Sequence, residues 1–180
     1  MRPMLASPYD LATSAPPFPK PLHPLLRPSM PTPPLDFWFI NTLVTLVTTT
    51  SETEGAFFIY HQVAPSGFAT PLHTHEAYGE GFYVLEGEIT FFYGGEKTVL
   101  GKDGFVFISG TKAHGFRVTS DGPATMMIVS PPQSTFGGFV KEAGELATAH
   151  QLPIPSQPDF ARLGALSAKY GSTILGPLPE

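Results

Sequence analysis

Short runs rich in β-branched and aromatic residues, separated by turn sequences, fill most of this chain from residue 36 to residue 130. The runs are FWFINTLVTLVTTT, AFFIYHQV, EGFYVLEGEITFFY, KTVL, FVFI, HGFRVT and ATMMIVS. Turn sequences such as Gly94-Gly95 and Asp103-Gly104 lie between them. Because short strands joined by tight turns favour antiparallel pairing, the pattern predicts an all-β sandwich or barrel. The first run, FWFINTLVTLV, is predicted to be one strand.

The distribution of proline divides the chain into three parts. Residues 1–35 hold many of the 21 prolines, which lack the amide donor that helices and central strands need. We expect this segment to be an arm. It either lies extended across the domain or a partner subunit through Leu22, Leu25 and Leu26, or has no fixed structure. Residues 36–135 are expected to form the barrel, and residues 136–180 a helical extension packed on its outside.

Helical periodicity begins after Gly138. FVKEAGELATAH is predicted to form one short helix and PDFARLGALSAKYG another. In the second helix, Asp159 can cap the start and Gly171 can mark the end. Its apolar face consists of residues at helical spacing, namely Phe160, Leu163, Leu166 and Tyr170.

The composition argues against several classes of function. With a net charge of -5 and 10 Lys plus Arg residues, the chain offers no basic surface for nucleic acid, so we expect no such partner. No apolar run approaches the roughly 20 residues of a membrane span, and no signal-peptide pattern is evident, so a cytoplasmic protein without membrane contact is expected. Because the chain contains 0 Cys, any metal ligands must be nitrogen and oxygen atoms.

Side chains of the type that bind transition metals lie close together between residues 67 and 87. His73 and His75 point to the same face of an extended strand, because side chains alternate along it. A chain reversal after His75 can bring Glu80 beside them and add a carboxylate oxygen. His114 follows a turn signal and precedes a strand-like run, which makes it the best candidate for a fourth ligand. Four protein ligands leave one or two positions for substrate or dioxygen.

The competing interpretation is that these residues are structural. A lone His-x-His pair lies on a surface or in a core more often than it binds metal. The added carboxylate, the second histidine site and the flanking glycines favour a metal site here. Glu80 shares a strand face with Phe82 and Val84, so it is expected to point into an apolar interior, where a carboxylate needs coordination or hydrogen bonds.

These residues resemble the motifs of the cupin superfamily. The first cupin motif, G-x5-H-x-H-x4-E-x6-G, is met without a gap by Gly67, His73, His75, Glu80 and Gly87. The second, G-x5-P-x-G-x2-H-x3-N, is met loosely. His114 is retained, but the usual proline, glycine and asparagine are replaced by Ser109, Thr111 and Val118.

The resemblance implies a jelly-roll barrel of about six to eight strands that binds one divalent metal ion, with Ni, Mn, Fe, Co, Cu and Zn all suited to the ligands. The single barrel and the C-terminal tail are similar to bacterial quercetin 2,3-dioxygenase-like monocupins. In such enzymes the metal binds the 3-hydroxyl oxygen of a flavonol, a glutamate takes its proton, and dioxygen adds to the central ring with loss of carbon monoxide. The resemblance therefore implies a small aromatic substrate, O2 as co-substrate, Glu80 as catalytic base and a homodimer.

Aromatic side chains near the expected site suit an aromatic substrate. We expect substrate contacts from Phe82, Phe91, Phe107 and Phe116. His61 is a further candidate that could hydrogen-bond a ligand, although it can equally be a structural histidine. Glu76 is expected to face outward, and we assign no chemistry to His23 or His150.

Two other functions fit the same residues. The first is a lyase or isomerase that uses the metal as a Lewis acid and Glu80 as base, without oxygen. The second is a non-catalytic protein that binds a small molecule. Oxygen consumption separates the dioxygenase from both, because fold alone does not fix function.

Overall fold

The computed structural model describes residues 34–180, so the predicted arm lies almost entirely outside the described residues. The described chain forms two antiparallel sheets. In spatial order, the larger sheet contains β11 (Glu145–Leu146), β1 (Leu35–Phe39), β2 (Thr42–Leu46), β3 (Phe58–Ala64), β10 (Ala124–Ser130), β5 (Glu80–Glu86) and β8 (Phe105–Ile108). The smaller sheet contains β12 (Ser172–Gly176), β4 (Leu72–His75), β9 (His114–Val118), β6 (Glu88–Tyr93) and β7 (Glu96–Gly101). The two helices are α1 (Phe136–Ala143) and α2 (Phe160–Lys169).

The two sheets share one apolar core. Phe82 and Val84 of β5, Met126 and Ile128 of β10, and Phe91 of β6 are all buried in it. Each such side chain contributes about 1.5–3 kcal/mol to stability when it leaves water. Alternation of buried and half-buried residues along β3 and β10 shows that one face of each strand packs on the core. The predicted all-β jelly-roll fold is confirmed.

The run FWFINTLVTLV was predicted to be one strand. In the structure it belongs instead to the hairpin of β1 and β2. The pairing runs from Leu35 opposite Leu46 to Phe39 opposite Thr42. The two residues between them, Ile40 and Asn41, have φ angles of 50° and 61°. Positive φ at both central positions is the geometry of the tight turn that matches strand twist. Asn adopts this conformation readily, whereas the β-branched Ile40 does so only under the constraint of its surroundings.

The chain passes from one sheet to the other at two turns that matter for the site. At the first, β4 of the smaller sheet ends at His75 and β5 of the larger sheet begins at Glu80. At the second, β5 leads into β6 through Gly87, which has a φ of 82°. A side chain at Gly87 would place its Cβ 2.8 Å from the Cα of Ala124, so this corner requires glycine. The first crossing sets Glu80 opposite the histidine strand.

The C-terminal extension does more than pack on the outside of the barrel. It adds strand β12 next to β4 and strand β11 next to β1. Helix α2 forms within the predicted segment, and the Asp159 side chain caps it by accepting a hydrogen bond from the Arg162 amide at 3.0 Å. The prediction that FVKEAGELATAH is one helix is wrong, because α1 starts earlier and ends at Ala143, and the remainder of that run contains β11. Residues from α1, α2 and β12 line the same cavity as the histidines. The extension therefore closes the barrel interior.

The longer of the two helices, α2, has 10 residues. Between residues 34 and 180, no helix combines the length and the apolar character needed to cross a membrane.

Candidate metal centre

Three histidines converge at the inner face of the smaller sheet. His73 and His75 come from β4, and His114 of β9 pairs with His73 in the strand register. Each offers a ring nitrogen, and these atoms lie within 4.8 Å of one another. His75 and His114 are buried, and His73 is half-buried. A transition metal ion with bonds of about 2 Å fits between ligand atoms at such spacing.

The hydrogen bonds of the three rings leave one nitrogen of each available. Nδ1 of His73 lies 2.8 Å from the carbonyl oxygen of Pro71, and Nδ1 of His114 lies 2.7 Å from that of Lys112. Because a carbonyl only accepts, both Nδ1 atoms carry the proton and both Nε2 atoms carry a lone pair. Nδ1 of His75 contacts the Ser172 hydroxyl at 2.8 Å. The backbone thus holds His73 and His114 in the tautomer that leaves Nε2 for a metal, and β12 orients the ring of His75.

The remaining nitrogen of His75 is the strongest sign that the site fits a cation. Nε2 of His75 is buried and has no hydrogen-bond partner among the residues that the structure describes. A buried polar atom left unpaired costs about 1–3 kcal/mol, and a metal ion would remove that cost. The donor set, with imidazole nitrogens beside a carboxylate, suits a divalent transition metal.

Burial favours the neutral form of two of the imidazoles, those of His73 and His114. Burial, reinforced by the neighbouring His114, lowers the pKa of His73 to about 4. Burial also lowers the pKa of His114 from its ordinary value. Neutral imidazole is the form that binds metal, so no proton has to leave these rings at neutral pH.

Glu80 lies beside the three imidazoles and is held by two hydroxyl groups. Its Oε2 is 3.4 Å from Nε2 of His75, while Oε1 accepts hydrogen bonds from Tyr60 at 2.9 Å and from Ser130 at 3.1 Å. Burial pushes the pKa of Glu80 upward, but the contacts with His75 and Tyr60 outweigh it, and the pKa lies below its ordinary value. The carboxylate is therefore ionised and has one oxygen directed toward the histidines.

The site opens into a cavity of about 650 Å³ between the barrel and the C-terminal extension. Its walls are mostly apolar and aromatic. Phe136 of α1 stacks on Tyr60 with ring centres 4.5 Å apart, and Phe139 packs edge-on against Phe39 at 5.1 Å. The volume suits a small organic molecule of two or three rings.

Three of the predicted substrate contacts line this cavity. They are Phe82, Phe91 and Phe116. Phe107 does not, because it lies on the outer face of β8 and is 63% exposed. Its ring packs over Gly79, where an added Cβ would come within 2.7 Å of it. The expectation that Phe107 contacts substrate in the cavity is therefore corrected.

His61 also lies outside the cavity. Along β3 the side chains of Phe58, Tyr60 and Gln62 are buried, whereas His61 is on the opposite, partly exposed face. Partial burial and the nearby His150 lower the pKa of His61. On this face His61 does not reach the cavity, so its position does not support the predicted contact with substrate.

Sequence reasoning missed the residues that hold the ligands in place. Tyr60 and Ser130 bind Glu80, Ser172 binds His75, and Tyr78 stacks on the His75 ring at 4.5 Å. No local pattern marks Tyr60, because both faces of AFFIYHQV carry apolar or aromatic residues. Ser172 lies 97 residues from His75, and no local pattern connects the two.

Comparison with known proteins gives matches for the part of the chain that contains the three histidines and Glu80. Residues 59–130 match the family described as cupin domain. The quercetin 2,3-dioxygenase of Bacillus subtilis (strain 168) is 26% identical over 112 residues, which are 62% of this chain and 33% of that protein. The chain thus spans about a third of the length of this curated relative.

Solved structures that match the chain include two bacterial proteins of different description. The polyketide cyclase RemF from Streptomyces resistomycificus is 21% identical, with a TM-score of 0.48 and coverage of 54% of this chain and 74% of that one. A predicted oxalate decarboxylase from Thermotoga maritima is 19% identical, with a TM-score of 0.49 and coverage of 58% and 96%.

Proposed function

We propose that this chain, whose residues 59–130 match the cupin domain family and which resembles a quercetin 2,3-dioxygenase, is a metal-dependent dioxygenase acting on a flavonol-like or other enolisable aromatic compound. One observation carries the proposal. Three imidazoles with available nitrogens and an ionised carboxylate meet at the wall of an aromatic-lined cavity.

His73, His75 and His114 would hold the metal. A divalent transition metal ion bound there would supply Lewis acidity toward an enol oxygen and open positions for substrate and dioxygen. The nitrogen and oxygen donors suit Ni, Mn, Fe, Co, Cu or Zn, and metal availability would select among them.

Glu80 would act as the base. Its Oε1 is occupied by the hydroxyl groups of Tyr60 and Ser130, so Oε2 is the oxygen free to accept a proton from a substrate hydroxyl. The pKa of Glu80 lies below its ordinary value, so the carboxylate is ready to receive that proton at neutral pH. General-base catalysis of this kind contributes about 10²–10⁴-fold to a rate.

The cavity walls would orient the substrate and exclude water. Phe82, Phe91 and Phe116 come from the barrel, and Phe136 comes from α1. Aromatic faces pack well against a planar ring system. Exclusion of water strengthens the electrostatic interactions at the carboxylate.

A non-oxidative lyase or isomerase is the second candidate, and one feature favours it. The cluster within 4.8 Å contains the three histidines but not Glu80, so the carboxylate is available as a base whether or not oxygen is used. A non-catalytic protein that binds small molecules is the third possibility and would need the cavity but no base.

The experiment measures metal content and oxygen consumption in the same preparations. Metal should fall strongly in His73→Ala, His75→Ala and His114→Ala, because each removes one of three imidazoles. His61→Ala, on the outer face of β3, is the matched control and should keep its metal. Oxygen uptake with flavonols should follow the metal.

Product formation from the same flavonols without oxygen would instead identify the lyase or isomerase. Full metal occupancy in His114→Ala would show that another residue is the ligand. Binding of flavonols without any turnover would leave the non-catalytic function.

A further inference from the structure

Gln62 is a polar side chain buried deep in the cavity wall and unused by the proposed chemistry. It lies on the inward face of β3, two residues beyond Tyr60, and is 6% exposed. It lines the cavity that contains His73, His75 and His114. Its partners in the strand register are apolar, Val44 on β2 and Met126 on β10.

The hydrogen bonds around Gln62 fix which way its amide points. The hydroxyl of Thr42 donates to the carbonyl oxygen of Phe39 at 2.6 Å, and this uses its one hydrogen. Thr42 can therefore only accept from Gln62, so the atom that faces it at 3.2 Å is Nε2. Oε1 of Gln62 must occupy the other side of the amide.

Oε1 is then an acceptor without a donor. Among the hydrogen bonds within residues 34–180, none to this oxygen is seen, and Gln62 borders the cavity, where a ligand can reach it. An acceptor left open in an apolar cavity is stabilised when a ligand brings a hydrogen-bond donor. Such a group rejects an analogue that lacks the donor.

The position of Gln62 relative to the base defines where that donor must be. Residues two apart on one strand face are separated by roughly 7 Å. Of Tyr60 and Gln62, it is Tyr60 whose hydroxyl donates a hydrogen bond to Glu80. Gln62 thus lies two residues along β3 from the side chain that binds the carboxylate.

We propose that Gln62 is a specificity-determining residue, whose Oε1 accepts a hydrogen bond from a hydroxyl on the ring system of the substrate remote from its metal-binding oxygens. The proposal rests on the proposed function, since it assumes that an enolisable aromatic compound lies in the cavity with its enol at the histidines. It narrows the substrate class to aromatic compounds that carry an additional phenolic hydroxyl.

The test is a binding cycle without turnover. The full-length protein is loaded with Zn²⁺ and titrated in the absence of oxygen with 3-hydroxyflavone, 3,7-dihydroxyflavone and 3,4′-dihydroxyflavone. Wild-type protein should bind at least one dihydroxy compound about tenfold more tightly than 3-hydroxyflavone, the usual effect of one net hydrogen bond. Gln62→Met, which keeps length but lacks the acceptor, should remove that preference, so that the dihydroxy compound binds no more tightly than 3-hydroxyflavone.

Two further variants guard against indirect effects. Gln62→Leu should reproduce the result with a different apolar shape. Val63→Met places the same new side chain on the opposite face of β3 and should retain the tenfold preference.

Equal affinity of wild-type protein for all three compounds overturns the proposal, and so does an equal loss for all three in Gln62→Met. Failure of the proposed function is seen separately, as an absence of oxygen uptake by metal-loaded protein under air. If the protein prefers the dihydroxy compound but consumes no oxygen, the proposed role of Gln62 stands and the dioxygenase function is rejected.

Discussion

At the scale of single residues, the two oxygens of the Glu80 carboxylate have different surroundings. Oε1 receives two hydroxyl groups, and Oε2 faces Nε2 of His75. A carboxylate fixed in this way can serve as a base without rotating, because its free oxygen is already directed toward the cavity. Substitution of Glu80 can separate a role as metal ligand from a role as base.

Glu80→Gln keeps the size of the side chain and one oxygen but removes its charge and basicity. We expect metal content to fall only modestly, because the three imidazoles remain, and turnover to fall by about 10²-fold or more. Elemental analysis and steady-state kinetics on the same preparation measure both. Turnover at the wild-type rate would exclude Glu80 as base and require another group to take the proton.

Tyr60→Phe tests the hydroxyl that orients Glu80. The ring stays packed between Phe58 and Phe136, so the change removes one hydrogen bond to a buried carboxylate. The free energy of unfolding should fall by about 1–3 kcal/mol, measured by urea denaturation. Tyr83→Phe removes a hydrogen bond of the same 2.9 Å length, to Asp103 on the surface, and should leave the unfolding curve unchanged. Equal effects in both variants would mean that burial of the Tyr60–Glu80 contact is irrelevant to stability.

At the scale of secondary-structure elements, the site depends on how closely the crossing from β4 to β5 approaches β8 and β9. Gly110 lies at this approach, where its carbonyl accepts the His75 amide at 2.8 Å. A Cβ at Gly110 would lie 1.7 Å from the carbonyl oxygen of Tyr78 and 3.0 Å from the Cβ of His75. Only glycine allows the histidine strand to sit this near.

Gly110→Ala should therefore displace the His75 strand. We expect the free energy of unfolding to fall by about 1–3 kcal/mol and the metal content to fall with it. Gly101→Ala is the matched control, because a Cβ there meets nothing within 4 Å. Thermal unfolding and elemental analysis of the two variants give the comparison. Normal metal content in Gly110→Ala would show that the strand can shift without harm to the centre.

The C-terminal elements belong to the site as much as to the exterior. Ser172 of β12 binds His75, and Phe136 and Phe139 of α1 complete the cavity wall. Phe39 of β1 packs edge-on against both of these rings. The extension is thus coupled to the histidine cluster through packing and one hydrogen bond.

At the scale of the whole molecule, we propose a homodimer to which the proline-rich arm contributes. Proline restricts an unfolded segment, so less conformational entropy is lost when it becomes ordered against a partner, and Leu22, Leu25 and Leu26 supply apolar contacts. The arm lies outside the described residues, so the argument comes from its sequence.

Deletion of residues 1–34 should weaken the dimer, so that sedimentation velocity detects monomer at concentrations where the full chain is dimeric. Metal content serves as the control that the barrel remains intact, because all three histidines are retained. The same oligomeric state for both proteins, whether dimer or monomer, would count against a role for the arm.

The sequence by itself determined which ligand residues lie together. The period of two along a strand places His73 and His75 on one face, and the motif spacing selects Glu80 and His114. The structure brings the three histidines within 4.8 Å of one another, with Glu80 beside them. The position of a turn such as that at Gly87 could also be predicted from the sequence, because a positive φ strongly favours glycine.

Only the tertiary structure decided which face of each strand looks inward. Both faces of AFFIYHQV and FVFI carry apolar or aromatic residues, so alternation could relate His61 to Ile59 but could not tell that Tyr60 and Gln62 point into the cavity. The same ambiguity led to the wrong position for Phe107. The contact of Ser172 with His75 joins residues 97 apart and exists only after β12 pairs with β4. Local periodicity fixes the relative orientation of neighbouring side chains, whereas burial results from packing between distant segments, which no short stretch of sequence contains.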